Sequence, residues 1–393
     1  MSEPSVVILD GVRTAIGAFG GSLAQVPART LGAIVLREAM VRSRVAAEEV
    51  DEVVLGCVGQ VGEDAYVSRA AAIDAGLPVR STAYTVNRLC GSGLQALLTA
   101  ALSLRAGETS VVAAGGVENM SRLPYYVRNR WGRRLGDWTL EDGVQRMLAD
   151  PFAGYPMGET AEIVAERFGI SRQAQDAIAW ESHRRAREAI AQGRFESQIV
   201  PVPVSKGKAT QTFCRDEHPR ETSLEQLAAL PPVFRPGGTV TAGNASGIND
   251  GAAALILTTE VHAARRGWEP RARLVSSAVV GLDPAIMGYG PTEAIALALQ
   301  RAGLSPEALD RVELNEAFAA QVAAVMRDTR LDWARTNVNG GAIALGHPVG
   351  ATGAILTVKL LYELERVRGR FGLVALCIGG GQGIAAVFEN LRR

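Results

Sequence analysis

The chain has 393 residues, which at roughly 150 residues per domain predicts two or three domains. Lys+Arg and Asp+Glu both number 41, so the formal charge is zero, which argues against a basic nucleic-acid binder or an acidic tail protein. Hydrophobic residues at 47% and charged residues at 21% exclude a disordered chain, and no apolar run approaches the ~20 residues of a membrane span.

In chain order, a strand is predicted at Val6 to Leu9, a helix at Leu31 to Val41 and a strand at Val53 to Leu55. Met1 to Leu9 lacks the basic and long apolar regions of a signal peptide, so a cytoplasmic protein is expected. Gly93 to Leu104 is apolar on nearly every side and reads as a buried helix, followed by a strand at Val111 to Ala114. Residues 120–245 differ in character. They carry Arg128 to Arg134, several prolines and an amphipathic helix from about Arg172 to Gln192, with Ser171 as N-cap and Gly193 closing it. Such an insertion covers a site and binds part of a substrate. Strands are predicted again at Leu255 to Leu257, Val312 to Leu314 and Leu373 to Leu376, with helices at Thr292 to Ala302 and Ala351 to Leu364. The alternation is that of an α/β protein.

An internal repeat underlies it. Ala39 to Leu55 aligns without gaps on Ala298 to Leu314, with identities at Ala39/Ala298, Arg42/Arg301, Glu48/Glu307, Asp51/Asp310, Val53/Val312 and Leu55/Leu314. Each copy continues into a glycine-containing segment that opens a helix, and then a strand that ends in glycines. The predicted organisation is a first half of 1–119 with a return segment of 246–270, an inserted loop domain of 120–245, and a second half of 271–393.

The cysteines at 57, 90, 214 and 377 are too scattered for a disulfide framework or a CxxC zinc site. Cys90 opens the buried helix, where the helix dipole would lower its thiol pKa; an inert buried cysteine is the alternative. His347 precedes Pro348, which predicts a place near the N-cap of the next helix and a neutral imidazole. Asn315 and Cys377 both follow strands, and the carboxyl ends of strands are where open α/β sheets bind ligands. Cys377 enters Gly379-Gly380-Gly381, whose backbone N–H groups can converge on an anion. Cys57 reads as structural, Cys214 as unpartnered, and His183, His218 and His262 as solvated.

NRLCGSG at 87–93, NEAFA at 315–319, NGGAIALGHPVG at 339–350 and CIGGGQG at 377–383 resemble, in order, the active-site blocks of the thiolase family. VRTAIGAFGGSL at 12–23 and TAGNASGINDGAAA at 241–254 extend the resemblance over essentially the whole chain. It implies duplicated halves forming a five-layered αβαβα core, with a loop domain on the first half. It further implies that Cys90 is the nucleophile that becomes acylated and that His347 activates it. His347, with Asn315 usually acting through a water, then polarises the thioester oxygen, Cys377 moves the α-carbon proton, and the N–H groups of Cys90 and Gly379 form a second oxyanion hole. Leu148, Met157, Arg220, Phe234, Ser246, Ala317 and Phe318 match positions that line the coenzyme A groove. The implied reaction interconverts two acetyl-CoA with acetoacetyl-CoA and coenzyme A by ping-pong kinetics; a broad or longer-chain degradative 3-ketoacyl-CoA thiolase is the alternative.

Coenzyme A would be substrate and product, with no metal or other cofactor. Neither nucleic acid nor membrane is an expected partner, and a homo-oligomer, dimer or tetramer, is expected. Two positions depart from many relatives: Pro156 stands where they have His, and Ile355 where they have Arg. A ketoacyl synthase would lack the second cysteine, and a non-catalytic acyl-CoA or lipid-binding relative would lose at least one of Cys90, Asn315, His347 and Cys377. All four are present.

Overall fold

A computed structural model describes residues 4–207 and 209–393. Its core strands are β1 (Val6–Thr14), β2 (Glu52–Gly56), β3 (Thr82–Val86), β4 (Val111–Asn119), β5 (Asn249–Thr259), β6 (Ala272–Gly281), β7 (Arg311–Leu314), β8 (Phe371–Ile378) and β9 (Gln382–Asn390). The principal helices are α1 (Ala28–Ser43), α2 (Val67–Asp74), α3 (Ser92–Ala106), α4 (Met157–Phe168), α5 (Arg172–Ala191), α6 (Gly290–Ala302), α7 (Ala319–Thr329) and α8 (Thr352–Val367).

Hydrogen bonding orders the strands β7-β8-β9-β6-β1-β5-β4-β2-β3. The two ends of this order repeat one plan. In the first half β2–β4 is parallel, while β4–β5 and β5–β1 are antiparallel. In the second, β7–β8 is parallel, while β8–β9 and β9–β6 are antiparallel. The half-sheets meet where β1 pairs with β6, at Val7 opposite Arg273 and Ile8 opposite Ala272.

Period-two alternation along the strands sorts the apolar residues into layers. On β8, Leu373 and Ala375 join an outer cluster with Ile295 and Leu299 of α6 and Val322 and Val325 of α7. Their neighbours Val374, Leu376 and Ile378 face a central cluster holding Leu94 and Leu97 of α3 and Ile355, Val358 and Leu361 of α8. Leu31, Val35 and Leu36 of α1 cover the other face of the first half-sheet. The order is therefore helices, sheet, the α3–α8 pair, sheet, helices.

The repeat seen in the sequence has a structural counterpart. In each copy a helix, α1 or α6, passes through a short 3-10 turn (Ala47–Glu49 or Pro306–Ala308) into the parallel strand, β2 or β7. The halves differ in what joins the next two antiparallel strands. Between β8 and β9 there is only a tight turn, with Gly380 and Gly381 at φ of 80° and 82°. Between β4 and β5 lies the long segment holding α4, α5 and a hairpin of Val202–Lys206 and Ala209–Phe213.

Ser171 caps α5 by accepting from the Ala174 N–H, and Gly193 lies just past its end at a φ of 67°. The segment is fastened to β1 by the fully buried Arg13, which makes a bidentate pair with Asp216 and also donates to Gln198. It also reaches the second half, because Ser182 of α5 donates to Glu316 Oε2 at 2.6 Å. Among the described residues no helix is long and apolar enough to cross a membrane.

Candidate active site

Cys90 lies in the short link between β3 and α3, a link tied tightly to itself. The Ser92 hydroxyl accepts from the Arg88 N–H at 2.8 Å and donates to the Leu89 carbonyl at 2.6 Å. Leu89 is held at a φ of 43°, an uncommon conformation for a γ-branched residue, which turns the chain sharply just before the cysteine. Arg88 donates to Gln382 of the second half at 2.7 Å. Gly91 has no room for a side chain, since a Cβ would lie 2.7 Å from Cδ1 of Ile378.

Burial pushes the Cys90 thiol up to about 11, against the lowering hydrogen bonds from the backbone N–H groups of Gly379 and Cys90 itself. The expected depression by the helix dipole is thus overturned: the helix begins two residues later, at Ser92, and desolvation outweighs its field. At neutral pH the group is a thiol that needs a base. Cys377, also completely buried, has its thiol pKa raised by burial and by the nearby Cys90. It packs with Met157, Met287 and Ala317, against Leu89 and Phe318.

His347 is not at a helix N-cap. The chain at 346–348 is irregular, a turn follows at 349–351, and α8 has its N-cap at Ala351 and starts only at Thr352. Distant side chains hold two N–H groups of this segment: the His347 N–H donates to Asn249 Oδ1 and the Gly350 N–H to Glu118 Oε2. Burial alone pushes the imidazole down to about 4, so it is neutral, though for a different reason than expected. Its tautomer follows from the hydrogen bonds. The Thr352 hydroxyl donates to the Pro348 carbonyl at 2.9 Å and so accepts from His347 Nδ1, 2.7 Å away. This leaves Nε2 without a proton, facing Asn315 Nδ2 at 3.5 Å. Asn315 is fully buried and its Oδ1 has no partner among the described residues.

The structure brings the four blocks together. Cys90 shares a small apolar cluster with Val349, two residues from His347, while His347 and Asn315 face each other. The Gly379 N–H, two residues from Cys377, points at Cys90. Leu148 packs on the Cys90 cluster, and Met157, Ala317 and Phe318 lie around Cys377. Phe234 meets Phe318 edge-on at 6.2 Å, and the Ser246 N–H donates to the Ala317 carbonyl. Arg220 is exposed, with Nη2 3.3 Å from the Ala242 carbonyl, so it stands at the outer end of this path. Pro156 is the N-cap of α4, and Ile355 is buried in the central layer.

Other expectations are corrected. His183 and His218 are not solvated: His183 is buried and accepts the Arg220 N–H, and burial pushes it down to about 4. His218 Nδ1 lies 3.0 Å from the Ala344 carbonyl. His262 is half-buried and tilted against Trp268. Cys57 is buried beside Glu118, and Cys214 is exposed. Thr352, Asn249 and Glu118 escaped sequence reasoning, since no local pattern shows which distant backbone groups they meet.

A duplicated αβαβα core with two buried cysteines, a neutral histidine and an asparagine between its halves defines one class of protein: the chain belongs to the thiolase family. The family models for "Thiolase, N-terminal domain" and "Thiolase, C-terminal domain" match residues 6–261 and 268–390. The chain is 53% identical over 391 residues to the beta-ketothiolase BktB of Cupriavidus necator, covering 98% of this chain and 99% of the relative. It is 48% identical over 393 residues to an acetyl-CoA acetyltransferase of Shinella zoogloeoides, covering all of both chains. Among solved structures, the acetyl-CoA acetyltransferase of Bacillus anthracis superposes with a TM-score of 0.98 at 46% identity, over 99% of this chain and all of the other. Human mitochondrial 3-ketoacyl-CoA thiolase in complex with CoA gives 0.96 at 44% identity, over 98% of each chain.

Proposed function

We propose that this thiolase interconverts two molecules of acetyl-CoA with acetoacetyl-CoA and free coenzyme A, through an acetyl group carried on Cys90. The observation that carries the reading is the pair of backbone N–H groups, from Cys90 and Gly379, directed at a buried thiol that has a second buried thiol beside it.

In the first half-reaction Cys90 Sγ attacks the thioester carbonyl, His347 Nε2 takes the thiol proton, and that proton leaves with the coenzyme A thiolate. In the second, Cys377 passes its thiol proton to His347 Nε2 and, as the thiolate, accepts a proton from the α-carbon of another acetyl-CoA. The resulting carbanion attacks the acetyl carbonyl, and the departing Cys90 thiolate takes the proton from His347 Nε2. The N–H groups of Cys90 and Gly379 hold the oxyanion of the acyl-enzyme carbonyl. Protonated at Nε2 in this step, His347 donates to the oxygen of the other thioester, and Asn315 acts on the same oxygen through a water whose O–H is accepted by Oδ1, unpartnered among the described residues. Raised thiol pKa values suit this chemistry. Desolvation makes thiolates strong bases once formed, while proton transfer to and from neutral partners avoids an isolated buried charge.

Leu148, Met157, Arg220, Phe234, Ser246, Ala317 and Phe318 form the coenzyme A groove in this reading. Coenzyme A is a substrate, and no metal or other cofactor takes part. The protein is a cytoplasmic homo-oligomer, as a dimer or homotetramer. β3 lies at the end of the strand order with one edge unpaired among the described residues, and Tyr84 on it and Leu102 on α3 are exposed, features that a second copy would cover. The test is thiolysis of acetoacetyl-CoA compared with a long-chain 3-oxoacyl-CoA, alongside light scattering. Faster thiolysis of acetoacetyl-CoA supports the reading and preference for the long chain favours the degradative alternative; no thiolysis of either, or a monomer, contradicts it.

A further inference from the structure

Glu118 is a carboxylate buried to 1% exposure, and no cation pairs with it among the described residues. It is the penultimate residue of β4 in the first half and is held by backbone N–H groups from two separate loops. Oε1 accepts from Gly59 at 2.9 Å; Oε2 accepts from Val58 at 3.0 Å and from Gly350 at 2.8 Å. The Cys57 thiol donates to Oε1 at 3.6 Å. Two of the three donors must be glycines, because a Cβ on Gly59 would lie 3.0 Å from Oε1, and one on Gly350 2.6 Å from Oε2. The first loop, 57–59, follows β2 and packs by Val58 on Cys90. The second, 347–350, belongs to the other half and carries His347.

We propose that Glu118 is a positioning residue: its carboxylate fastens the loop that bears His347 to the loop beside Cys90, setting the distance between base and nucleophile across the two halves. It does not touch the reacting atoms. Burial pushes the Glu118 carboxyl up, and the three N–H donors and the Cys57 thiol oppose this by stabilising its ionised form. When ionised, Glu118 opposes formation of the Cys90 thiolate. Besides Glu118, the titratable groups around Cys90 are Cys377, His347 on its turn, and Cys57, which also feels Asp64. Glu118 therefore does two separable things. Its shape aligns His347, and its charge adds to the burial that keeps Cys90 a thiol until the base acts.

The positioning role rests on the proposed acyl transfer only for its turnover readout; the alkylation readout does not. Glu118→Gln must turn an NH2 group toward backbone N–H donors, so it loses alignment and charge together, whereas Glu118→Asp keeps the charge and loses the reach. Turnover is expected to fall about 10²-fold in both variants. The pH midpoint of Cys90 alkylation by iodoacetamide is expected to drop by about half a pH unit in Glu118→Gln and to stay in place in Glu118→Asp. Turnover within threefold of the parent in both variants overturns the proposal. So does a loss of turnover with the midpoint unmoved in Glu118→Gln, which is what a merely structural role gives. If turnover is absent in the parent but the midpoint still moves, the reaction assignment fails and the coupling to Cys90 stands. Hydrogen exchange on the parent protein needs no variant to fold: peptides containing the Val58, Gly59 and Gly350 amides should be protected like β4. Exchange there within seconds overturns the clamp.

Discussion

Gly56→Ala should cripple turnover with a much smaller effect on the fold. Gly56 ends β2, and through the repeat it occupies the slot that Asn315 fills after β7. In the second half that slot presents an amide to His347; in the first it must be empty. A Cβ there would lie 2.5 Å from the Ser92 carbonyl carbon, 2.6 Å from the Gly93 nitrogen and 2.7 Å from the Gly350 oxygen. Ordinary contact begins at 3.4 Å, so the start of α3 and the His347 turn must separate from β2 by 0.9 Å and 0.7 Å respectively (3.4 − 2.5 and 3.4 − 2.7). All three are backbone atoms, so no rotamer change relieves the clash. The first moves Cys90 and the second moves His347, and a misplacement of about 1 Å costs roughly 10² in rate. Overpacking costs about 1–3 kcal/mol of stability. The assay is kcat for acetoacetyl-CoA thiolysis, with urea unfolding as the control. A kcat within threefold of the parent would refute the claim that β2 sets this spacing.

Cys377→Ala should still form the acetyl-enzyme from acetyl-CoA but lose condensation by about 10²- to 10⁴-fold, measured by separate half-reaction assays; equal loss of both would contradict its role as the carbon base. Asp216→Ala should destabilise the protein by about 3–5 kcal/mol, because it strands the buried Arg13 charge; urea unfolding within 1 kcal/mol of the parent, on the order of a surface substitution, would contradict this. The pH dependence has a definite sign. His183, pushed down to about 4 from 6.5, binds fewer protons folded than unfolded, so its contribution is complete above 6.5 and is lost as pH falls toward 4. His183→Gln should therefore show a flatter fall in melting temperature over that window, and an unchanged slope would contradict the burial argument.

The fold was legible wherever the chain is buried on both faces. Val111 to Ala114 and Leu373 to Leu376 are strands sandwiched between helices, and continuous apolar runs bounded by glycine announce such strands. The Ser171 cap was readable because its signal is local. His347 is misplaced because Pro348 mimics a helix start, whereas α8 has its N-cap at Ala351, and Asn249 and Glu118, distant in sequence, hold the His347 and Gly350 N–H groups. The direction of the Cys90 shift was missed for a related reason. A helix dipole can be inferred from a few residues, but desolvation depends on what the whole fold packs over the thiol. His183 and His218 looked polar among arginines and acids, yet α5 lies against the second half and buries one of them.

The central claim is that an acyl group travels on Cys90. The protein is incubated with acetyl-CoA, acid-quenched, digested and mapped by mass. An added acetyl mass on the peptide containing Cys90, absent after Cys90→Ala and present after Cys377→Ala, is the predicted result. An unmodified Cys90 peptide in the parent, or an acetyl group that persists in Cys90→Ala, would contradict the account.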